Sequence, residues 1–330
     1  MRMDVHNHLM SPDLFERIES QTAYRMKRDA RGTVLATMGN IMPAITVEER
    51  LSQMDTYGID RQAVSFITFN FFTEEALTES PSKRLKLSQV VNDYFAEICS
   101  RHKDRLMAFA DIPLLDVNDA VREIRRSVRD LGLHGASLFS HVHGKFLSSK
   151  EFWPFFEEVN ELKVPMFLHP TLPKHKDLFS EFHLAALVGF PFETTLAVTR
   201  MVYSGLFERF KRLKLIVSHA GGTIPFLWKR LDRGYLNHWP GCRENISKRP
   251  TDYLRQIYYD TALSFPEALM LAHQMSGGHL VFGTDYPYTI PPLSDDDEVR
   301  GNIEMIESLD LPPEEKEKIR GLRALDLFSP

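Results

Sequence analysis

Eight short apolar runs, each followed by a stretch with helical periodicity, constrain this chain of 330 residues more than any other feature. The runs are Met3–His8, Arg61–Thr68, Leu106–Ile112, Gly135–Phe139, Val164–Leu168, Leu213–Ser218, Ile257–Asp260 and His279–Gly283. Several of them, such as Val164–Leu168, lack the polar alternation of a half-exposed strand. That pattern belongs to strands buried on both faces, as parallel strands are when helices cover them. The intervening segments carry helix signals. Thr46 and Glu49 form a capping-box pair ahead of a helix that Gly58 ends, and Asp116 caps a helix closed by Gly132. Further helices are expected over 82–101, 150–162, 223–233 and 266–274, in a helix-rich region over 181–210, and in two terminal segments over 298–308 and 313–327. Alternating strand and helix implies one parallel sheet, and eight such units are the number that closes a barrel, with a doubly wound open sheet as the alternative. We expect residues 1–330 to form one domain, a distorted (β/α)8 barrel. Leu9–Ile45 interrupts the alternation and reads as an insertion after the first strand. A long loop there either covers the active site or runs over the surface.

The charge balance narrows the partners. Lys and Arg total 40 against 45 Asp and Glu, and no segment gathers the basic residues into a stripe, so nucleic-acid binding is not expected. Two cysteines, Cys99 and Cys242, do not make a disulfide framework and suit a reducing compartment. No basic-then-apolar leader precedes Met3, and the apolar runs fall short of the roughly 18 residues that a membrane span requires. These features predict a soluble, cytoplasmic protein with a small-molecule partner and no membrane contact.

In a barrel the active site lies at the C-terminal ends of the strands, so the residues that follow each apolar run carry the functional information. The first run ends in His6-Asn7-His8, the fifth in His169-Pro170, the sixth in Ser218-His219-Ala220-Gly221-Gly222 and the eighth in Thr284-Asp285-Tyr286-Pro287. Period-two alternation places Asp4, His6 and His8 on one side of the first strand. A lone His-x-His is often structural, but four histidines and an aspartate converging on one rim from four strands are not. Imidazoles with a carboxylate, and no cysteine, suit a divalent borderline ion with an open coordination position, Zn2+ or alternatively Mn2+. Ala136–Phe139 offers no lysine to bridge a pair of ions, so one metal is expected. His134 and His279 stand at strand starts and read as structural, whereas His141, His143 and His175 follow strand ends and are candidates to line a pocket.

These motifs resemble the amidohydrolase superfamily, and within it the aminocarboxymuconate-semialdehyde decarboxylase family of metal-dependent, non-oxidative decarboxylases. The resemblance rests on Asp4-Val5-His6-Asn7-His8, Phe167-Leu168-His169-Pro170, Leu187–Thr195, Ser218–Gly222 with Pro225-Phe226, and Gly283–Pro287, and it spans nearly the whole chain. It implies that His6, His8, His169 and Asp285 are metal ligands and that His219 is the general acid/base. Asp285 would also pass a proton to the carbon that loses CO2. It further implies a homodimer in which Arg230 reaches across the interface to a substrate carboxylate, a task that suits a forked guanidinium. Asp4 is then expected behind the metal, orienting a ligand histidine. Two departures bear on the substrate: the segment near Gly32–Thr37 lacks an expected basic residue, and Ala185-Ala186 stand where an aromatic residue is expected.

The activity that the resemblance implies is removal of CO2 from an unsaturated or aromatic carboxylic acid. The same residues serve a hydrolase of lactones or amides, or a hydratase, equally well. A non-catalytic barrel stabilised by its metal is the reading from another class, and it leaves the position of His219 without a purpose.

Overall fold

The computed structural model of the protein describes residues 1–35, 44–288 and 295–329. Its core is a sheet of eight parallel strands in sequence order: β1 (Met3–His8), β2 (Arg61–Ser65), β3 (Leu106–Asp111), β4 (Gly135–Phe139), β5 (Pro165–His169), β6 (Lys214–Val217), β7 (Tyr258–Asp260) and β8 (Leu280–Val281). Backbone hydrogen bonds beyond β8 close the barrel onto β1. Val5 N donates to Phe282 O at 3.0 Å, Asp285 N to His6 O at 2.7 Å and His8 N to Tyr286 O at 2.7 Å. The fold is therefore the (β/α)8 barrel that the alternation predicts.

Local chemistry explains the helices around the sheet. They include α1 (Pro12–Gln21), α2 (Val47–Tyr57), α3 (Pro81–Arg101), α4 (Val117–Arg129), α5 (Trp153–Leu162), α6 (Phe190–Tyr203), α7 (Ile224–Leu236) and α8 (Pro266–Ser276). The capping box at α2 forms, with Glu49 N donating to Thr46 Oγ1 and Thr46 N to Glu49 Oε2, and left-handed Gly58 ends the helix. Asp116 caps α4 by accepting from the backbone N–H groups of Asn118 and Asp119. The segment after β1 contains a helix that weak periodicity concealed. Ser11 caps α1, which buries Leu14, Phe15 and Ile18, and the Ser11 hydroxyl also meets Tyr94 on α3 at 2.7 Å. A short antiparallel pair, Lys27–Arg28 with Val34–Leu35, follows, and residues 36–43 of this segment lie outside the described residues.

Two apolar layers hold the barrel. The outer one lies between sheet and helices. The inner one joins Met3, Val5, Phe109, Phe167, Ile216 and Val281 to Ala324 and Leu327 of the C-terminal helix Arg323–Phe328. That helix closes the end where the strands begin: Lys214 Nζ, at the start of β6, donates to Leu327 O at 2.9 Å. The opposite end is left for the site. Among the described residues no helix is long and apolar enough to cross a membrane, and both cysteines are free thiols.

Strand β1 departs from simple alternation. Its register against β2 shifts between Asp4 and Asn7, and an irregularity of this kind re-aims the side chains beyond it. Val5 belongs to the inner apolar layer, and yet the ring of the next residue, His6, lies 4.9 Å from the ring of Phe167 in the same layer. The Asp4 carboxylate makes no hydrogen bond to either imidazole. It accepts from Gln62 Nε2 at 3.1 Å, from the Thr284 hydroxyl at 2.9 Å and from the His6 backbone N at 3.1 Å. The expectation that Asp4 orients an imidazole is not met; it fixes the backbone where β1 and β8 join.

Candidate metal centre and active site

The ends of two strands, β1 and β5, and the turn after β8 bring His6, His8, His169 and Asp285 together. One potential ligand atom from each lies within 4.8 Å of the other three, and all four residues are buried. The imidazole rings stand at 74–88° to one another with centroids 5.1–5.3 Å apart, so their edges converge instead of stacking.

Hydrogen bonds on the far side of each ring fix which nitrogen faces the centre. His6 Nδ1 lies 2.5 Å from Asp260 Oδ2. His8 Nδ1 meets the Ser65 hydroxyl at 2.8 Å, and that hydroxyl in turn donates to Asn7 O at 3.2 Å. His169 Nδ1 donates to Pro170 O at 2.8 Å. With each Nδ1 engaged as a donor, all three Nε2 atoms face the centre, where a cation in place of a proton would draw on their lone pairs. Asp285 Oδ1 sits 3.0 Å from both His6 Nε2 and His8 Nε2, and His6 Nε2 is buried without a hydrogen bond. An orphaned nitrogen in a buried group of three imidazoles and one carboxylate fits a divalent cation, which supplies the partner that the nitrogen otherwise lacks.

The electrostatics follow from burial and from the two carboxylates. Burial depresses the His6 pKa, but the facing charges of Asp285 and Asp260 outweigh it and raise the value to about 10. His8 lacks a second carboxylate, and burial lowers it to about 4. Burial likewise holds His169 well below the ordinary imidazole value, assisted by the neighbouring His8 and His219. Asp285 is buried, which works against its charged form. The charge on His6 and the close approach of His219, His6 and His8 prevail and hold its carboxyl well below the usual carboxylate range.

His219 is in reach of this group without belonging to it. Its Nε2 lies 3.2 Å from Asp285 Oδ2, and its ring centroid is 5.1 Å from that of His6. His219 (φ 54°) and Asp285 (φ 60°) both adopt left-handed backbone, uncommon for residues other than glycine. The turn that carries His219 depends on the glycines after it. A side chain at Gly222 (φ 63°) would meet Pro191 O at 2.2 Å, and one at Gly221 (φ 79°) would meet the Tyr259 ring at 2.6 Å.

Two residues of the site escape a reading by sequence. Asp260 ends β7, and its carboxylate holds His6 through Oδ2 while Oδ1 accepts from the backbone N–H groups of Ala220 and Ala262 at 3.2 Å. Ser65 ends β2 and steadies His8. Both occupy strand ends on the same rim, which is the signal that could have exposed them. Gly283 makes the approach of β8 possible, since a Cβ there would lie 2.7 Å from His6 Cβ and 3.1 Å from Asp260 Cβ.

The remaining candidates lie away from the cluster. Arg230 is exposed on α7 and makes no hydrogen bond or ion pair with the described residues. It follows Phe226, which is 81% exposed, by one helical turn, so the two share a face. His141 is buried, with Nε2 3.2 Å from Leu172 O and Nδ1 accepting from Gly144 N, and both His141 and His143 line a cavity beside the site. His175 is exposed. His134 and His279 pack at strand starts, His279 stacking on Tyr258 at 4.7 Å.

The family model described as amidohydrolase matches residues 3–329. A 2-amino-3-carboxymuconate-6-semialdehyde decarboxylase of Dictyostelium discoideum is 30% identical, over 84% of this chain and 75% of the relative. A gamma-resorcylate decarboxylase of Rhizobium radiobacter is also 30% identical, over 73% of this chain and 76% of the relative. Among solved structures, a dihydroxybenzoic acid decarboxylase from Polaromonas sp., with bound manganese and the inhibitor 2-nitroresorcinol, superposes with a TM-score of 0.76 at 22% identity, covering 99% of this chain and 96% of that one.

Proposed function

The chain belongs to the amidohydrolase family, and from that premise we propose that it is a metal-dependent, non-oxidative decarboxylase that releases CO2 from an aromatic or unsaturated carboxylic acid. The observation that carries this reading is the contact of His219 with Asp285 at the edge of a buried three-histidine, one-carboxylate cluster. The relatives' names point to the same reaction class.

His6, His8, His169 and Asp285 would hold one divalent ion. Zinc suits the nitrogen and oxygen donors, and the manganese in the Polaromonas neighbour makes that ion the alternative. When bound, the ion supplies Lewis-acid polarisation of a substrate oxygen. The chain's own residues do the rest. Loss of CO2 breaks the bond from the ring or alkene carbon to the carboxylate carbon and leaves the electron pair on the former, which must then receive a proton. The pair formed by His219 Nε2 and Asp285 Oδ2 holds a proton at that edge of the site and passes it to the carbon. Burial of the cluster excludes water that would compete for the site.

For substrate binding we assign Arg230, acting from a second copy of the chain. Its support is a shared face with Phe226; the segment that leads into α6 also exposes Phe182 at 79%, Leu187 at 54% and Phe192 at 52%. An exposed aromatic side chain on the face that carries Arg230 suits an interface between the two copies of a homodimer. The reading also takes residues 1–330 as one domain, with segment 9–45 bordering the site, and places the protein in the cytoplasm.

The test is incubation of metal-loaded protein with carboxylated phenols, muconate derivatives and lactones. Stoichiometric CO2 with the decarboxylated product supports the assignment. Ring opening of a lactone without CO2 release replaces it with a hydrolase.

A further inference from the structure

A cavity of about 250 Å³ opens on the barrel rim between the loops that follow β2, β3, β4 and β5. One aromatic ring of its lining reaches the metal cluster. Phe69, in the turn after β2, lines the cavity and lies 6.1 Å, centroid to centroid, from His169 and 5.2 Å from Phe139. Leu172, three residues beyond His169, forms another part of the wall.

The lining is chiefly apolar, with Phe72, Leu77, Leu138 and Val142 joining Phe69 and Leu172. Its buried cation is already committed. The Arg84 guanidinium donates to both oxygens of Asp111, at 2.6 and 3.0 Å, and to Ile112 O at 3.3 Å. His141 uses both ring nitrogens within the chain. Neither group is disposed to bind a carboxylate, so the charged end of a substrate belongs at the metal cluster and an uncharged end here. For scale, a dry apolar cavity of about 150 Å³ holds a benzene molecule. A space of this size and polarity next to a reaction centre is uncommon in a packed interior unless something occupies it.

We propose that this cavity receives an uncharged apolar substituent, an alkyl chain or a second ring, carried by the acid whose carboxylate reacts at the metal cluster. The inference rests on the decarboxylase reading and deepens it: the substrate class narrows from aromatic or unsaturated acids to aromatic acids that carry an alkyl or aryl substituent. Phe69 is the ring that the substituent passes, and Leu77 and Val142, half-buried on two different loops, set the depth available to it.

Two series test this. Metal-loaded protein is assayed with ortho-hydroxybenzoates bearing hydrogen, methyl, ethyl or propyl, and binding of the corresponding para-alkylphenols, which carry no carboxylate, is measured by calorimetry. In the wild type, both kcat/KM and phenol affinity should rise about fourfold per added methylene until the cavity is full. Val142→Trp and Leu77→Trp fill the space from two different segments of the lining, and each should reduce that gain to about twofold or less; thermal melting identifies a variant that fails to fold, and the other then decides. Phenol affinity independent of chain length, or a gain that survives in the folded Trp variants, overturns the assignment. Phenol binding with the expected chain-length dependence but no CO2 from any acid supports the cavity and refutes the decarboxylase reading. Turnover without chain-length dependence does the reverse.

Discussion

His6 Nδ1 lies 2.5 Å from Asp260 Oδ2, and this contact, made across 254 positions of sequence, points the other nitrogen of His6 into the cluster. Asp260→Asn keeps the shape of the side chain and removes the carboxylate that selects the tautomer. Loss of such an outer partner typically weakens metal binding by about 10–100-fold. Competition with a chromophoric chelator measures the change, and an unaltered affinity would show that Asp260 does not govern His6.

Gly283→Ala probes the same corner sterically. The new methyl would lie 2.7 Å from His6 Cβ and 3.1 Å from Asp260 Cβ, both on strands with no room to retreat. Overpacking at a buried site costs about 1–3 kcal/mol. Denaturant unfolding should register that loss, and the metal retained after dialysis should fall with it. Wild-type stability and full retention together would contradict the crowding described around His6.

Much of this was readable in the sequence because a barrel converts strand order into spatial convergence. His6, His8, His169, His219 and Asp285 each stand at or just beyond the end of an apolar run, and the closed sheet brings those ends to one rim. Asp260 followed the same rule, but β7 has only three residues and its carboxylate has no distinctive neighbour in sequence. Asp4 misled because alternation assumes an unbroken register, whereas β1 shifts between Asp4 and Asn7. Helix α1 was hidden by a Met- and Pro-containing segment whose periodicity is short, although Ser11 ahead of Pro12 was a start signal. The cavity beyond Phe69 is assembled from four loops and has no counterpart in any local pattern.

Acid should loosen the end of the chain that seals the barrel. Glu315 accepts from Arg323 Nη2 at 2.6 Å, from Lys318 Nζ at 3.2 Å and from His273 Nε2 at 3.2 Å, and Arg323 also donates to Leu280 O on β8. Partial burial opposes its charge, but these partners lower the pKa from 4.5 to about 2. The folded state therefore binds protons less readily than the unfolded state. The stability that Glu315 contributes is present above pH 4.5 and is lost as pH falls toward about 2. In Glu315→Gln this part of the acid limb should flatten in urea unfolding curves recorded from pH 5 to pH 2.5, and an unchanged limb would remove Glu315 from the account.

His219→Ala separates proton transfer from metal binding. His219 touches Asp285 Oδ2, while the converging ligand atoms belong to other residues. The variant should retain its metal and lose about 10²–10⁴-fold in turnover, the range for a removed general acid or base. Metal content by mass spectrometry and kcat on the same preparation provide the comparison. Retained turnover would assign the proton to another group, and lost metal would make His219 a ligand.

One titration tests the central claim that a single ion at His6, His8, His169 and Asp285 supports decarboxylation. Chelator-stripped protein receives increments of Zn2+ or Mn2+ while CO2 release from an accepted acid is followed. The account predicts no release without metal, a linear rise to one equivalent per chain and a plateau beyond it. CO2 release from the stripped protein, or a rise that continues to two equivalents, would contradict it.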